Sequence, residues 1–163
     1  MSFKGYTQRV NQYLDKHLST QGSLREAMRY SVLSGGKRFR PILTYAVANT
    51  FGTAINLADS SACAVELIHA YSLIHDDLPA MDDDDIRHNQ PACHKQFGEA
   101  QAILAGDGLQ ALAFEVLTND GGLSAQVRIT LLQALTHAAF EMAEGQSIDL
   151  SVVSKTIDAE TLQ

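Results

Sequence analysis

Six aspartates fall within ten residues, in the run His75-Asp76-Asp77-Leu78-Pro79-Ala80-Met81-Asp82-Asp83-Asp84-Asp85. They follow directly on an apolar stretch with helical spacing, so they leave the end of a buried helix rather than decorate a solvated linker. Carboxylates so placed carry a desolvation cost that metal, cationic ligands or water must offset. Hard divalent cations such as Mg²⁺ take carboxylate oxygens, keep several waters and bridge to phosphates. Asp76, with Asp82 across the turn made by Pro79, could hold such ions between them. The alternative is a hydrated loop that merely maintains solubility. An EF-hand is excluded, because its alternating ligands and central glycine are missing.

Two further groups could act with this acidic wall. His69 precedes Asp76 by seven residues, which is about 20° short of two full helical turns. The spacing therefore predicts both on one wall, with Ser72 and Leu73 between them; a core histidine is the competing reading. The segment Gly35-Gly36-Lys37-Arg38-Phe39-Arg40-Pro41 is the basic counterpart. Lys37 and Arg40 lie near a predicted helix start, where the macrodipole does not favour cations, so an anion held between them and the backbone N–H groups would remove the conflict. A solvated basic turn is the alternative. It is not a P-loop, since the Gly-x4-Gly-Lys-Ser/Thr order is absent. Arg87-His88, with Lys95 downstream, follows the acidic run and reads either as local charge balance or as a second anion site. Together these groups suit two polyphosphates, one gripped through metal and one held directly by cations.

The elements that must position them are helices. Phe3, Tyr6, Val10, Tyr13, Leu14 and Leu18 recur at threes and fours and predict a first amphipathic helix. Ser23 can cap a second, which stops at Gly35-Gly36, and Pro41 suits the first turn of a third, which ends near Gly52. A fourth, from about Ala58 toward Asp77, is apolar almost all round and predicts a central helix. Pro79 ends it, and an acidic loop runs on to Pro91. An alanine-rich helix is predicted from Phe97 to Leu117, and another, capped by Ser124, up to Gly145. No strand alternation with hairpin turns is visible, so the expectation is all-α, an antiparallel bundle of about six helices. The tail from Gln146 to Gln163 reads as the opening of something longer.

Composition agrees with one soluble domain: 163 residues, 45% hydrophobic and 19% charged. Removing the six aspartates from 19 acidic residues leaves 13 against 12 Lys plus Arg, so the net charge of -7 is concentrated at one place. The acidic balance, with pI near 5.2, argues against nucleic-acid binding. No secretory leader or membrane span is evident, which makes the cytoplasm the expected location. Cys63 and Cys93 form neither a disulfide framework nor a zinc-ligand spacing.

Taken together, Gly35-Gly36-Lys37-Arg38-Phe39-Arg40-Pro41, Glu66-Leu67-Ile68-His69, Asp76-Asp77-x4-Asp82, Asp85-Ile86-Arg87 with Pro91 and His94, Phe97-Gly98-Glu99-Ala100 and Ala105-Gly106-Asp107 resemble the trans-isoprenyl diphosphate synthases. This is the polyprenyl synthetase family, and the likeness is greatest to its bacterial farnesyl type. The resemblance implies the N-terminal part of the isoprenoid synthase fold and a Mg²⁺-dependent condensation, with Mn²⁺ as a possible substitute, of an allylic diphosphate with isopentenyl diphosphate. It implies metal ligation by Asp76 and Asp82 with Asp77 beside them. It places isopentenyl diphosphate on Lys37, Arg40, His69 and His88, and the allylic diphosphate on Arg87. Tyr71 and Ser72, just before the aspartates, correspond to positions that limit chain length, and the Pro79-Ala80 insertion matches the farnesyl type, which implies a C15 product. A homodimer that binds small diphosphates, with neither nucleic acid nor membrane insertion, is also implied.

Two departures accompany the likeness. His88 stands where the family has a second arginine and Asn89 where it has glycine. Imidazole lacks the guanidinium fork, so the expectation is weaker isopentenyl diphosphate affinity, improving at lower pH or with His88→Arg. The family's domain is also roughly twice this long, and its second aspartate-rich motif has no counterpart before Gln163. Residues 1–163 thus read as the N-terminal portion of one domain, inactive alone. The other reading is a shortened, non-catalytic relative that binds diphosphate or a partner subunit.

Overall fold

A computed structural model describes residues 2–18 and 21–152, and the predicted tail beyond residue 152 lies outside the described residues. The fold is all-α. Helix α1 spans Phe3–His17, α2 Ser23–Leu33, α3 Phe39–Thr50 and α4 Asp59–Asp76, the last entered through a 3-10 turn at Ile55–Ala58. After the acidic loop come a two-stranded hairpin, β1 Ile86–Arg87 and β2 Gln90–Pro91, a short helix α5 Cys93–Phe97, then α6 Glu99–Thr118 and α7 Ala125–Val152.

Local chemistry explains most boundaries. The Ser2 hydroxyl accepts from the Gly5 N–H at 3.3 Å and caps α1, which buries Tyr6, Val10 and Leu14 at four-residue spacing. Lys16 and His17 in its last turn suit the negative helix end. Ser23 is the first residue of α2 and not its cap; Gly22, at φ 95°, holds the cap position without a side-chain bond. Ser124 caps α7 as expected, accepting from the Val127 N–H at 3.3 Å.

Three elements differ from the sequence reading. The hairpin was not visible as alternation because each strand is two residues long. Its turn residues His88 and Asn89 both take positive φ, 51° and 62°, the conformation that a two-residue type I′ turn requires. Asn tolerates that region, which explains how position 89 dispenses with glycine. Residues 93–97 form a separate helix, because Gly98 at φ 86° breaks the chain before α6 begins. Helix α7 runs through Gly145 to Val152; one glycine costs about 1 kcal/mol against alanine, too little to end a long helix.

Helix α4 is the centre of the bundle. It packs most extensively on α6 and also against α1, α2 and α3. Small residues on α6, Ala102, Ala105, Gly106 and Ala113, allow the close approach. The Arg9 guanidinium bonds both oxygens of Asp59 at 2.6 Å, and the Tyr45 hydroxyl donates to Asp59 Oδ1 at 2.8 Å, fastening α1 and α3 to the start of α4. Helix α7 buries only Leu135 and Ala139 fully and leaves Val127, Ile129, Phe140, Ile148 and Leu150 exposed. No helix among the described residues is long and apolar enough to cross a membrane.

Candidate functional site

A cavity of about 600 Å³ opens where the end of α2, the start of α3, the middle of α4 and the hairpin meet. Lys37, Arg40, His69, Arg87 and His88, separated by up to 51 residues in sequence, all line it. Gly35 and Gly36 take φ of 139° and 107°, and they turn the chain so that Lys37 and Arg40 face the hairpin. His88 packs over both glycines: a Cβ on Gly35 would stand 3.6 Å from its Cβ, and one on Gly36 3.5 Å from its Nε2. The Tyr30 hydroxyl donates to the Pro91 carbonyl at 2.9 Å and ties the hairpin to α2.

The floor is fixed by a pair that function-oriented reading did not single out. Arg38, at φ 51°, turns inward from the basic segment. It donates to Glu66 Oε1 at 2.7 Å, to Asn11 Oδ1 at 2.9 Å and to the Val32 carbonyl at 2.6 Å. The sequence signal was present, since a glutamate on an apolar helix needs a buried partner. Alternate members of one basic run thus serve opposite purposes, Lys37 and Arg40 at the opening and Arg38 in the floor.

On α4 the cavity is lined by His69, Leu73 and Asp77 at four-residue spacing. Asp76 is not among the lining residues, whereas Asp77, eight residues after His69, is. Asp77 is only 2% exposed and is held by Arg87, whose Nε donates to Oδ1 at 3.0 Å and to Oδ2 at 3.2 Å, while Nη2 bonds Asp77 and, at 3.2 Å, Asp84. Hydrogen bonding to Asp77 pushes the Arg87 guanidinium further up, so its charge is secure.

Asp76 is half-buried at the last turn of α4 and accepts from the Gln146 carboxamide of α7. Successive turns fold the acidic loop back: Met81 N–H donates to the Leu78 carbonyl at 2.8 Å, and Asp82 N–H to the Asp76 carbonyl at 2.9 Å. Burial pushes the Asp76 carboxyl up, the Gln146 bond opposes this, and Asp82 and Asp77 push it further up. A helix C-terminus also disfavours negative charge. Half-buried Asp76 and exposed Asp82, whose charges repel, are oxygen donors of the kind a hard divalent cation takes, and such an ion would relieve these costs.

His69 is half-buried, and burial holds its imidazole below the ordinary histidine range; Arg40 also lowers it, Glu66 opposes, and His88 and Arg38 lower it further. Ser72 donates its hydroxyl to the His69 carbonyl at 2.9 Å and so faces its own helix. The Tyr71 ring stands edge-on to His75, centroids 5.4 Å apart. Tyr71, Ser72, Asp76 and Asp82 all lie outside the cavity lining. Lys95 pairs with Asp85 at 2.7 Å, in keeping with local charge balance, and does not line the cavity.

Comparison with known proteins agrees with this geometry. The polyprenyl synthetase family profile matches residues 21–163. The farnesyl diphosphate synthase of Haemophilus influenzae is 47% identical over 161 residues, covering 95% of this chain and 55% of that protein. That of Escherichia coli is 50% identical over 142 residues, covering 85% and 48%. The solved structure of a geranyltransferase from Legionella pneumophila superposes with a TM-score of 0.93 at 45% identity, covering 98% of this chain and 59% of that one. The chain spans about half the length of the curated relatives it matches. With fold, motifs and relatives in agreement, the chain belongs to the polyprenyl synthetase family.

Proposed function

We propose that the protein to which these residues belong is a trans-prenyltransferase that joins an allylic diphosphate to isopentenyl diphosphate. The observation that carries this reading is the convergence of Lys37, Arg40, His69 and His88 from three separate elements on one cavity beside Asp77 and Arg87. Such a ring of donors suits a diphosphate bound without metal. The neighbouring acidic wall suits a diphosphate bound with it.

In the reaction the allylic C1–O bond breaks and its electron pair leaves with the diphosphate. The isopentenyl double bond supplies the pair for the new C–C bond, and a proton is lost to the released diphosphate. Mg²⁺ or Mn²⁺, held by Asp76 and Asp82, would neutralise the departing diphosphate. Arg87, braced by Asp77, stabilises the same developing charge. Lys37, Arg40 and His69, with His88 at the opening, hold the nucleophilic substrate by its diphosphate. Leu73 and Ile74 turn apolar surface toward the cavity and exclude water from the cation.

A C15 product, a cytoplasmic homodimer, and a single domain of which residues 1–163 are the N-terminal portion complete the proposal. The exposed side chains of α7, Ile129 and Phe140 among them, are apolar surface that association would cover. The test is titration of the 163-residue chain with isopentenyl diphosphate, followed by a turnover assay with geranyl diphosphate and Mg²⁺. Binding without turnover is expected. Failure to bind would overturn the assignment of the basic ring, and turnover would overturn the view that the chain alone is incomplete.

A further inference from the structure

We infer that Asp83, Asp85 and His94 form a second cation site, for a borderline divalent ion of the Zn²⁺ type, separate from both the diphosphate cavity and the Asp76–Asp82 wall. One oxygen of each carboxylate and one ring nitrogen of His94 lie within 4.8 Å of one another. None of these three residues lines the cavity.

The independent sign of a ligand is His94. It is only 6% exposed, and neither ring nitrogen has a hydrogen-bond partner. Burying an unpaired polar group costs about 1–3 kcal/mol, and buried polar atoms are nearly always satisfied. The two carboxylates stand beyond hydrogen-bond reach of the ring, since no ion pair joins His94 to Asp83 or Asp85 among the described residues. An ion in the gap bonds the ring nitrogen and both oxygens at once.

The fit can be judged by size. Neighbouring ligands of a tetrahedral zinc with bonds of about 2.1 Å lie about 3.4 Å apart. The observed spread therefore needs a small inward movement, which the exposed side chains of Asp83 and Asp85 can make while buried His94 stays in place. One imidazole with two carboxylates suits Zn²⁺, whereas Mg²⁺ selects oxygen alone. The donor set therefore separates this site chemically from the all-oxygen wall.

Position gives the site a role. The Asp85 carbonyl accepts from the Ala92 N–H at 2.8 Å at the base of the hairpin, two residues before Arg87. Lys95 now holds Asp85 Oδ1, and the ion replaces this exposed, exchangeable partner. Tying Asp83 and Asp85 to α5 through His94 clamps the hairpin that carries Arg87 and His88 to the cavity. The inference stands whether or not the proposed reaction does.

The test uses the full 163-residue chain, stripped of metal by chelator, with histidine rings labelled by ¹⁵N and excess Mg²⁺ present to fill oxygen-only sites. Zn²⁺ is then titrated. A stoichiometric shift of a His94 ring nitrogen is expected, unchanged in the Asp76→Asn/Asp82→Asn variant. Asp85→Asn and Asp83→Asn, both at exposed positions, should each weaken binding by at least about tenfold, the loss that follows even from removing a group that only supports a ligand. Circular dichroism verifies that these variants fold. An unmoved His94 ring, shifts confined to other histidines, or undiminished affinity in the Asp83→Asn/Asp85→Asn double variant would each overturn the site.

Discussion

Arg38 and Glu66 form an ion pair at 2.7 Å with their side chains only 6% and 5% exposed, in the cavity that Lys37, before α3, and Arg40, in its first turn, also line. Breaking a buried pair strands the surviving charge and costs about 3–5 kcal/mol, whereas replacing both partners with apolar groups can be near neutral. Glu66→Leu and Arg38→Met are each expected to lower stability by about that amount in urea unfolding. The double variant should recover most of it. Additive losses would show that the pair is not a unit.

A second close contact is set by glycine. His75 Nε2 lies 3.0 Å from the Ile103 carbonyl, over the notch left by Gly106, where a Cβ would stand 2.6 Å from the ring Cδ2 and closer still to Nε2. Alanine gains about 1 kcal/mol in helix propensity, but overpacking costs about 1–3 kcal/mol and the His75 bond is lost as well. Gly106→Ala should therefore lower the melting temperature. Gly108→Ala is the control, because its Cβ would meet only the flexible Met28 side chain, Sδ at 3.1 Å, and it should be close to neutral.

These contacts show what the sequence could and could not disclose. The helices were legible because periodicity survives over 11 residues or more, as with Tyr6, Val10 and Leu14 on α1. The hairpin and α5 were not, since two-residue strands and a five-residue helix carry no period. Lys37, Arg40, His69, Arg87 and His88 were nameable as donors, and their meeting in one cavity agrees with that reading. Which aspartate faces the cavity was decided by Arg87, a contact ten residues away that selects Asp77 over Asp76. His94 joined Asp83 and Asp85 only because the hairpin folds back, which spacing along the chain does not reveal.

On the proposed assignment of the basic ring to a diphosphate, His69 should make that binding pH-dependent. Burial lowers its proton affinity; Arg38 and Arg40 from the segment before and within α3, and His88 from the hairpin, act in the same sense, against Glu66 on its own helix. Lys37 and Arg87 line the same cavity. In the folded protein His69 therefore titrates below its unfolded value, near 6.5. The unfolded chain binds the extra proton first, so this residue costs stability as pH falls below that value. A bound diphosphate reverses the balance by favouring the imidazolium. Calorimetry of inorganic diphosphate binding near pH 6 in buffers of different ionisation enthalpy should show proton uptake, reduced in His69→Asn. Equal uptake by the two proteins would place the titration elsewhere.

His88→Arg should strengthen isopentenyl diphosphate binding. The imidazole packs over Gly35 and Gly36 at the cavity edge and brings no fork-shaped donor. A guanidinium there adds a charge-assisted bond, so about a tenfold gain in affinity is expected. The turn requires positive φ at 88 as well as 89, and an arginine can adopt it, since Arg38 in this same chain stands at φ 51°. Titration calorimetry on the two proteins decides it, and unchanged affinity would remove position 88 from the substrate contacts.

Tyr71 tests the chain-length reading. Its ring is half-buried, edge-on to His75 and five residues before Asp76, and burial, then Asp76, push its phenol up, so it is neutral at working pH. A neutral aromatic on that turn can act as a steric floor for a growing prenyl chain without a charged group entering apolar space. In a full-length enzyme carrying this segment, Tyr71→Ala should lengthen the product beyond C15, while Tyr71→Phe, which keeps the ring, should not. If both variants gave the parent's product in a chromatographic assay, Tyr71 would be a packing residue of the α4–α6 seam alone. If both lengthened it, the hydroxyl rather than ring volume would set the limit.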